Sequence, residues 1–347
     1  MVNKIKFSDK IVLLSFILSI GVVYQHTQLR YNGNEFVTLL KDFMFYLVEV
    51  CVPCFFMISG YLFYRTFSMK KLMDKYKSRA RSLLVPYLVW NVIYCVCMVI
   101  LYRLGFIHEL DVPQNGGVLY SIVNSNFSPL WFVKYLMIFA LFSPILYILI
   151  KNKYLGIFVL MAMIIYNAFA YRTGIMQIPL NINANNFTML NYQLIFYMIG
   201  AYAALHLKLT VETGTKQKAY ISICVIVILI AIYFIWLRNH GDAITSHTFR
   251  IIFSIALWFA MDMMPEIKIK WWMKISFFIY CAHLLPLQCM QKVSEIIINH
   301  IPYFKAQLMI LEYIFLPILV VMLVIFIAWL LKRYALVLWN IITGSRG

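Results

Sequence analysis

Charge is scarce in this chain of 347 residues, because Asp, Glu, Lys and Arg together make up 12% of it and only 13 residues are acidic. A soluble globular domain carries about 25% charged residues. Hydrophobic residues instead reach 63% of the chain, and the mean hydropathy is +0.83. This composition excludes an ordinary soluble enzyme or binding domain and predicts a polytopic integral membrane protein.

Other signals of common function classes are missing as well. The sequence has no Gly-rich phosphate loop, no internal repeat and no ladder of acids and bases inside its apolar segments. The seven cysteines all lie in apolar segments, which argues against a disulfide framework. Cys51 and Cys54 are one helical turn apart but have no second pair to complete a metal site. We therefore expect no metal and no permanently bound cofactor.

Long apolar segments, in contrast, are plentiful. About 20 apolar residues in a helix cross the roughly 30 Å hydrocarbon core of a bilayer. Short loops join these segments, which favours a single membrane domain over residues 1–347. The prediction is an all-α fold of about ten transmembrane helices, at residues 11–26, 43–64, 83–103, 130–150, 154–171, 189–207, 219–237, 249–264, 274–291 and 310–331.

Basic residues are concentrated at alternate ends of these spans. Cytoplasmic flanks of membrane helices are enriched in Lys and Arg, so the pattern predicts that the N- and C-termini are both cytoplasmic. The net charge of +17 then reflects topology, and no nucleic-acid partner is expected. The basic flanks are residues 4–10, 65–81, 151–153, 208–218, 268–274 and 332–346.

Ionisable side chains inside spans are costly and are therefore functional candidates. His26 ends the first span at the outer face; it could be a general base near neutral pH or an interfacial histidine without a role. Glu49 and Lys134 enter their spans from the same face and could share a pocket with His26. Alternatively they form a structural ion pair, or Lys134 extends to the interface. His283, in mid-span, lines a cavity or hydrogen-bonds a neighbouring helix.

The densest basic group directly precedes the third span. Lys77, Arg79 and Arg81 could bind the phosphates of an acyl-CoA, because guanidinium groups match phosphate oxygens bidentately. They could equally bind anionic lipid headgroups or only fix the topology. The outer loops at 27–42, 104–129 and 172–188 are polar, which suits a sugar but is also usual for loops.

Five motifs occur in an order that resembles the type-3 membrane acyltransferase family. This family includes bacterial O-acetyl and O-succinyl transferases that act on cell-surface glycans. The resemblance extends over nearly the whole chain. Its motifs are FFMISGYLF, R-x-R-x-LLVPYLVWN, PLWFVK, FYMIG and SFFIYCAH, at residues 55–63, 79–91, 129–134, 196–200 and 276–283.

The resemblance implies a bacterial inner-membrane enzyme that moves an acyl group, expected to be acetyl, from cytoplasmic acyl-CoA to a hydroxyl of a cell-surface or lipid-linked glycan. His26 would be the general base, oriented by Glu49, and Lys134 would stabilise the developing oxyanion. The donor phosphates would bind the basic group that precedes the third span. The implied lining of the substrate pocket is Trp131, His283, Asn91 and Ser15.

One position departs from the family pattern. The first span of relatives typically carries an Arg, ten intervening residues and a His, which places both on one helix face about 16 Å apart. Here Ser15 stands at the Arg position, and Lys10 is about 160° around the helix from His26. The alternatives are therefore a catalytically inactive homologue or a glycan exporter, although no repeated half supports an exporter.

Overall fold

The computed structural model describes residues 5–27, 29, 35–103, 117, 120, 125, 128–173 and 184–346. Within these ranges all regular structure is helical and no β-strand occurs, so the all-α prediction is confirmed. Most of the expected outer loops at 104–129 and 172–188 lies outside the described residues. The two interpretations of these loops, a sugar-binding surface or ordinary polar loops, both stay predictions.

The α-helices are numbered in chain order. They are α1 Phe7–His26, α2 Glu35–Val48, α3 Cys51–Tyr64, α4 Leu72–Arg79, α5 Val85–Arg103, α6 Trp131–Leu141, α7 Ser143–Ile150, α8 Lys153–Thr173, α9 Ala184–His206, α10 Lys208–Glu212, α11 Lys216–Ile232, α12 Arg238–His240, α13 Ala243–Ala260, α14 Ser276–Ala282, α15 Leu284–Asn299, α16 Lys305–Tyr334 and α17 Leu336–Thr343. Short 3₁₀ segments lie at Met69–Lys71, Met261–Met263, Trp271–Ile275 and Pro302–Phe304, and π-helical segments at Ala80–Leu84 and Tyr233–Leu237.

Each of the ten expected spans coincides with a helix or a pair of successive helices. Seven helical stretches among the described residues are long and apolar enough to cross a membrane, or nine if each of two bent pairs is one span. Large apolar side chains such as Phe158, Ile235 and Val337 are more than two thirds exposed, as expected of a surface that faces lipid. The chain is therefore a multi-pass membrane protein.

The residues form two compact units. The first contains residues 5–15, 49–73, 138–173 and 184–269 of the described chain, and α3 packs closely on α9 within it. A Cβ atom on Gly60 would overlap the carbonyl oxygen of Tyr197, and one on Gly200 would overlap that of Met57. Small residues let membrane helices approach at the backbone, so these two glycines determine the spacing of α3 and α9.

Helix starts in the first unit follow local sequence rules. Asp242 precedes α13, and its carboxylate accepts a hydrogen bond from the backbone N–H of Thr245 at 2.8 Å. The Thr245 hydroxyl accepts one from the Asp242 N–H at 2.9 Å. This reciprocal capping satisfies two backbone donors that a helix start leaves unpaired, so α13 begins at Ala243.

The second unit contains residues 16–27, 29, 35–48, 74–103, 117, 120, 125, 128–137 and 270–346 of the described chain. Its core joins α5, α14 and the C-terminal helix α17. The Trp90 indole donates a 2.9 Å hydrogen bond to the carbonyl of Ile342. Gly344 has φ of +62°, and a Cβ there would lie 2.7 Å from Cα of Ser82. Glycine therefore lets the C-terminus approach the π-helical segment at residues 80–84.

Candidate active site

Two histidines meet in the second unit. His26 is the last residue of α1 and is partly buried, whereas His283 is fully buried between α14 and α15. Their ring centroids are 5.2 Å apart, with the planes inclined by 42°. The structure therefore brings together two ring systems that are 257 residues apart in the sequence.

His283 occupies a break in a membrane span. The axes of Trp271–Ala282 and Leu284–Asn299 differ by 71° at this residue. Pro286 follows closely, and proline cannot donate the backbone hydrogen bond that would continue the helix. Irregular backbone at membrane depth occurs where it is buried in protein or lines a cavity, so this break is suited to a functional site.

The hydrogen bonds of His283 determine its tautomer. Its Nδ1 lies 2.7 Å from the carbonyl oxygen of Tyr280 and 3.3 Å from that of Ile279. A carbonyl can only accept, so Nδ1 carries the proton and Nε2 of the neutral ring presents a lone pair. Among the described residues, Nε2 is buried without a hydrogen-bond partner. An unpaired buried acceptor next to a second imidazole is a candidate for proton transfer.

Hydrogen bonds from neighbouring tyrosines fix the backbone around His283. The Tyr280 hydroxyl donates to the carbonyl of Pro129, and the Tyr94 hydroxyl donates to the carbonyl of Cys281 at 2.9 Å. Tyr280 also packs edge-to-face on Phe132, with ring centroids 5.5 Å apart. The motif that begins at Pro129 is therefore tied directly to the helix break.

The predicted pocket residue Asn91 is buried, with 2% of its surface exposed. Its Nδ2 donates to the carbonyl of Tyr87 at 2.7 Å, and its Oδ1 accepts from the Ser128 hydroxyl at 2.7 Å. Asn91 thus links α5 to the segment just before α6. Trp131 and Lys134 both lie on α6 and are partly buried, and the Trp131 ring is 5.8 Å from that of Tyr135.

The predicted basic group lies across a change of helix type. Lys77 and Arg79 end α4, whereas Arg81 is in the π-helical segment. Lys77 and Arg81 are exposed and Arg79 is partly buried. Single π turns inside helices are frequent at functional sites.

A basic residue that sequence reasoning assigned only to topology joins this group. The guanidinium of Arg346 lies 4.4 Å above the Phe277 ring. Burial lowers the pKa of Arg346 to about 10, and the nearby positive charge of Arg79 acts in the same direction. No carboxylate among the described residues forms an ion pair with Arg346. The positive charge of Arg346, which no described carboxylate pairs with, favours an anion at this place.

Glu49 belongs to the first unit, where it interacts with a residue that the sequence did not single out. Arg250 of α13 donates a hydrogen bond from Nη2 to the Glu49 carboxylate and one from Nη1 to the Tyr192 hydroxyl at 2.5 Å. The pair neutralises two charges inside the membrane. A pocket that Glu49 would share with His26 and Lys134, which belong to the second unit, stays a prediction.

Further polar side chains follow the Glu49–Arg250 pair. The ring of His247, one turn before Arg250 on α13, lies 4.2 Å from that of Tyr192. The amide of Asn167 is 3.0 Å from Nδ1 of His247. Asn and His in apolar spans are the signal that sequence analysis could have used for this cluster.

Ser15 lies within the continuous helix α1, eleven residues before His26, and is partly buried. The spacing that the family pattern requires is therefore present in the structure. The cation of that pattern is absent from position 15.

Comparison with known proteins gives a consistent result. Residues 11–333 match the family model described as "Acyltransferase domain", so the chain belongs to this family, as its motifs predicted. A curated relative, the "Succinoglycan biosynthesis protein ExoH" of Rhizobium meliloti (strain 1021), is 25% identical over 309 residues, covering 80% of this chain and 77% of the relative. No solved structure shows a significant match.

Proposed function

We propose that this member of the acyltransferase family is a bacterial inner-membrane O-acyltransferase that moves an acyl group from acyl-CoA to a hydroxyl of a cell-surface or lipid-linked glycan. The pairing of His26 with His283 at a broken membrane helix carries the proposal. The family match over residues 11–333 and the similarity to a protein of succinoglycan biosynthesis support the reaction and the acceptor class. Acetyl is the proposed acyl group.

In the proposed reaction His26 acts as general base. It takes the proton from the acceptor hydroxyl as the oxygen attacks the thioester carbonyl. The tetrahedral intermediate then collapses, the C–S bond breaks, and the CoA thiolate takes the proton back from His26. Imidazole suits both steps because its ordinary pKa is near 6.5. Lys134 stabilises the oxyanion in this scheme.

His283 has a positioning role in the proposal. Its Nδ1–H donates a hydrogen bond to the Tyr280 carbonyl, so the lone pair on Nε2 is available to accept a hydrogen bond. By accepting the ring N–H of His26, His283 would leave the other nitrogen of His26 free as the base. Tautomer control by a buried acceptor is how catalytic histidines are commonly oriented.

The donor phosphates are proposed to bind at the opposite, basic end of the second unit. Arg79 is close enough to Arg346 for their charges to repel, and Lys77 and Arg81 add exposed positive charge. Guanidinium–phosphate hydrogen bonds are charge-assisted and can be bidentate. The end at which this group lies is cytoplasmic in the proposed topology, where acyl-CoA is available. Trp131, Asn91 and Ser15 line the substrate path in this scheme.

Transfer of label from acetyl-CoA into membrane glycan tests the proposal. Vesicles with the wild type are compared with His26→Ala and Ser15→Arg, and His300→Ala is the matched control because His300 is exposed at the end of α15. Loss of a general base reduces the rate about 10²- to 10⁴-fold. We expect this loss in His26→Ala, and wild-type incorporation with unchanged folded protein in His300→Ala.

Two outcomes would overturn parts of the proposal. Normal turnover by His26→Ala removes His26 from the chemistry. An inactive wild type whose Ser15→Arg variant transfers label identifies a homologue that has lost catalysis, the alternative that the serine at position 15 supports. The same assay with labelled succinyl-CoA decides the acyl group.

A further inference from the structure

The first unit contains an apolar cavity of about 250 Å³. Its walls come from α1, α3, α9, α10 and α13, with Leu14, Met57, Ala203 and Trp258 among the lining residues. An apolar cavity of about 150 Å³ already stays dry and binds benzene. The cavity is therefore large enough to hold a hydrocarbon chain and has almost no polar surface that would hold water.

The cavity is open on the side that faces the bilayer. Cys54 and Met57 on its floor are buried, whereas the lining side chains Leu62, Ile255 and Leu207 are 37%, 40% and 42% exposed. In a membrane span such exposed apolar groups face lipid tails. A hydrocarbon chain of a lipid can therefore enter the cavity from the bilayer between these side chains without crossing a polar surface.

A cation is held at one end of the cavity. The ammonium of Lys218 donates to the carbonyls of Thr210 and Thr213, both at 3.2 Å, and lies 5.9 Å from the Phe259 ring centroid. Thr210 and Phe259 line the cavity. An ammonium group has three donors, so one N–H of Lys218 is left for a ligand at the mouth, the end of the cavity next to Thr210 and Phe259.

The acids around the mouth are already engaged by other bases. Lys10 forms a buried 2.6 Å ion pair with Asp262 and is close enough to Lys218 for their charges to repel. Glu212 pairs with Arg65 at 2.6 Å, and this hydrogen bond keeps the pKa of Glu212 below its ordinary value. No described carboxylate forms an ion pair with Lys218, so one positive charge remains at the mouth.

We propose that this cavity is a binding site for an anionic membrane phospholipid, with one hydrocarbon chain in the cavity and the phosphate on Lys218. The apolar walls, the opening toward the bilayer and the Lys218 ammonium, which forms no ion pair with a described carboxylate, together match this chemistry. The site is independent of the proposed transfer reaction, because none of these residues has been assigned to it.

Native mass spectrometry of the delipidated full-length protein tests the proposal without turnover. The probes are dioleoyl phosphatidylglycerol and dioleoyl phosphatidylcholine, which share chains and differ in net headgroup charge. One lysine near an anionic lipid accounts for about a fivefold preference. We expect the wild type to retain phosphatidylglycerol about fivefold better than phosphatidylcholine.

Two variants, each with a control, distinguish binding of the hydrocarbon chain from binding of the lipid headgroup. Ala203→Trp fills the cavity and should abolish retention of both lipids, whereas Ala162→Trp on the exposed face of α8 should not. Lys218→Gln should remove the preference and leave equal retention, whereas Lys216→Gln, exposed on the same helix, should keep it.

Equal retention of the two lipids by the wild type, or unchanged retention in Ala203→Trp, would overturn the proposal. Displacement of phosphatidylglycerol by palmitoyl-CoA at equal concentration would overturn it in favour of a donor site. Loss of acyl transfer in the separate vesicle assay, with lipid retention intact, would concern the proposed function alone.

Discussion

The role inferred for Arg346 differs between the sequence and the structure. In the sequence it is a basic residue near the C-terminus, and its charge alone fits the positive-inside pattern. In the structure its guanidinium covers the Phe277 ring and lies near Arg79. Its pKa of about 10 is still well above neutral pH, so Arg346 remains charged and available to an anion.

Arg346→Ala should therefore weaken the acyl-CoA donor interaction. A hydrogen bond to a charged group contributes about 1.5–3 kcal/mol, which corresponds to an increase of about 10- to 100-fold in the donor KM. Arg79→Ala should act in the same direction. Initial rates at varied acetyl-CoA with the acceptor held constant measure both effects.

The matched control for this measurement is Arg333→Ala. Arg333 is exposed, and its guanidinium lies 5.5 Å from the rings of Trp329 and Tyr334. Arg333→Ala removes one positive charge near the C-terminus, as Arg346→Ala does. An equal donor KM in the Arg346 and Arg333 variants would return Arg346 to a purely topological role.

At the scale of helices, α3 and α9 are joined by two glycines that sequence analysis recognised only as parts of motifs. Their motifs, FFMISGYLF and FYMIG, each contribute one glycine to the contact. Both positions require glycine because the backbones of α3 and α9 lie in contact there. A Cβ atom at either glycine would overlap a backbone carbonyl of the other helix. Helical periodicity identifies the face of each helix but not its partner.

Gly60→Ala should lower the thermal stability of the protein in detergent. The added methyl meets backbone rather than a movable side chain, and overpacking costs about 1–3 kcal/mol. Gly156→Ala is the control, because its methyl meets the Tyr202 ring at 2.9 Å and a ring edge can move aside. A Tm of Gly60→Ala equal to that of Gly156→Ala would contradict the proposed role of Gly60.

The helix break at His283 has a partial signal in the sequence. The apolar segment 274–291 predicts one span, and the structure has two helices there that are inclined by 71°. Pro286 leaves the carbonyl of Ala282 without its helical donor, which favours a break just before the proline. The direction of the bend depends on the contacts of Tyr280 and Tyr94, which no local rule supplies.

For the whole molecule, the charge pattern predicts that both termini and residues 65–81 are cytoplasmic. Alkaline phosphatase is active only outside the cytoplasm, so fusions after Lys75 and after Gly347 should be inactive. A fusion after His240, between two spans, should be active. Green fluorescent protein at the same three positions should give the reverse pattern and serves as the control. Phosphatase activity of the fusion after Gly347 would reject the predicted topology.

Composition, charge placement and ordered motifs were sufficient to predict the membrane class, the helical spans and the family. Those properties depend on segment length, local hydropathy and short residue patterns, which are all local along the chain. The candidate residues His26, Glu49 and His283 were also identified in this way, because ionisable groups are conspicuous in apolar segments. Asn91 became a candidate only through the family resemblance.

The partners of those residues were decided by tertiary packing alone. His26 meets His283, and Glu49 meets Arg250 across 201 positions of the chain, while Arg79 lies close enough to Arg346 for their charges to repel. A helical period of 3.6 residues tells which side chains share one face. The helical period contains no information on which two helix faces touch. Lipid tails are as apolar as the helices, so the neighbour of each helix is determined by packing and hydrogen bonding between helices.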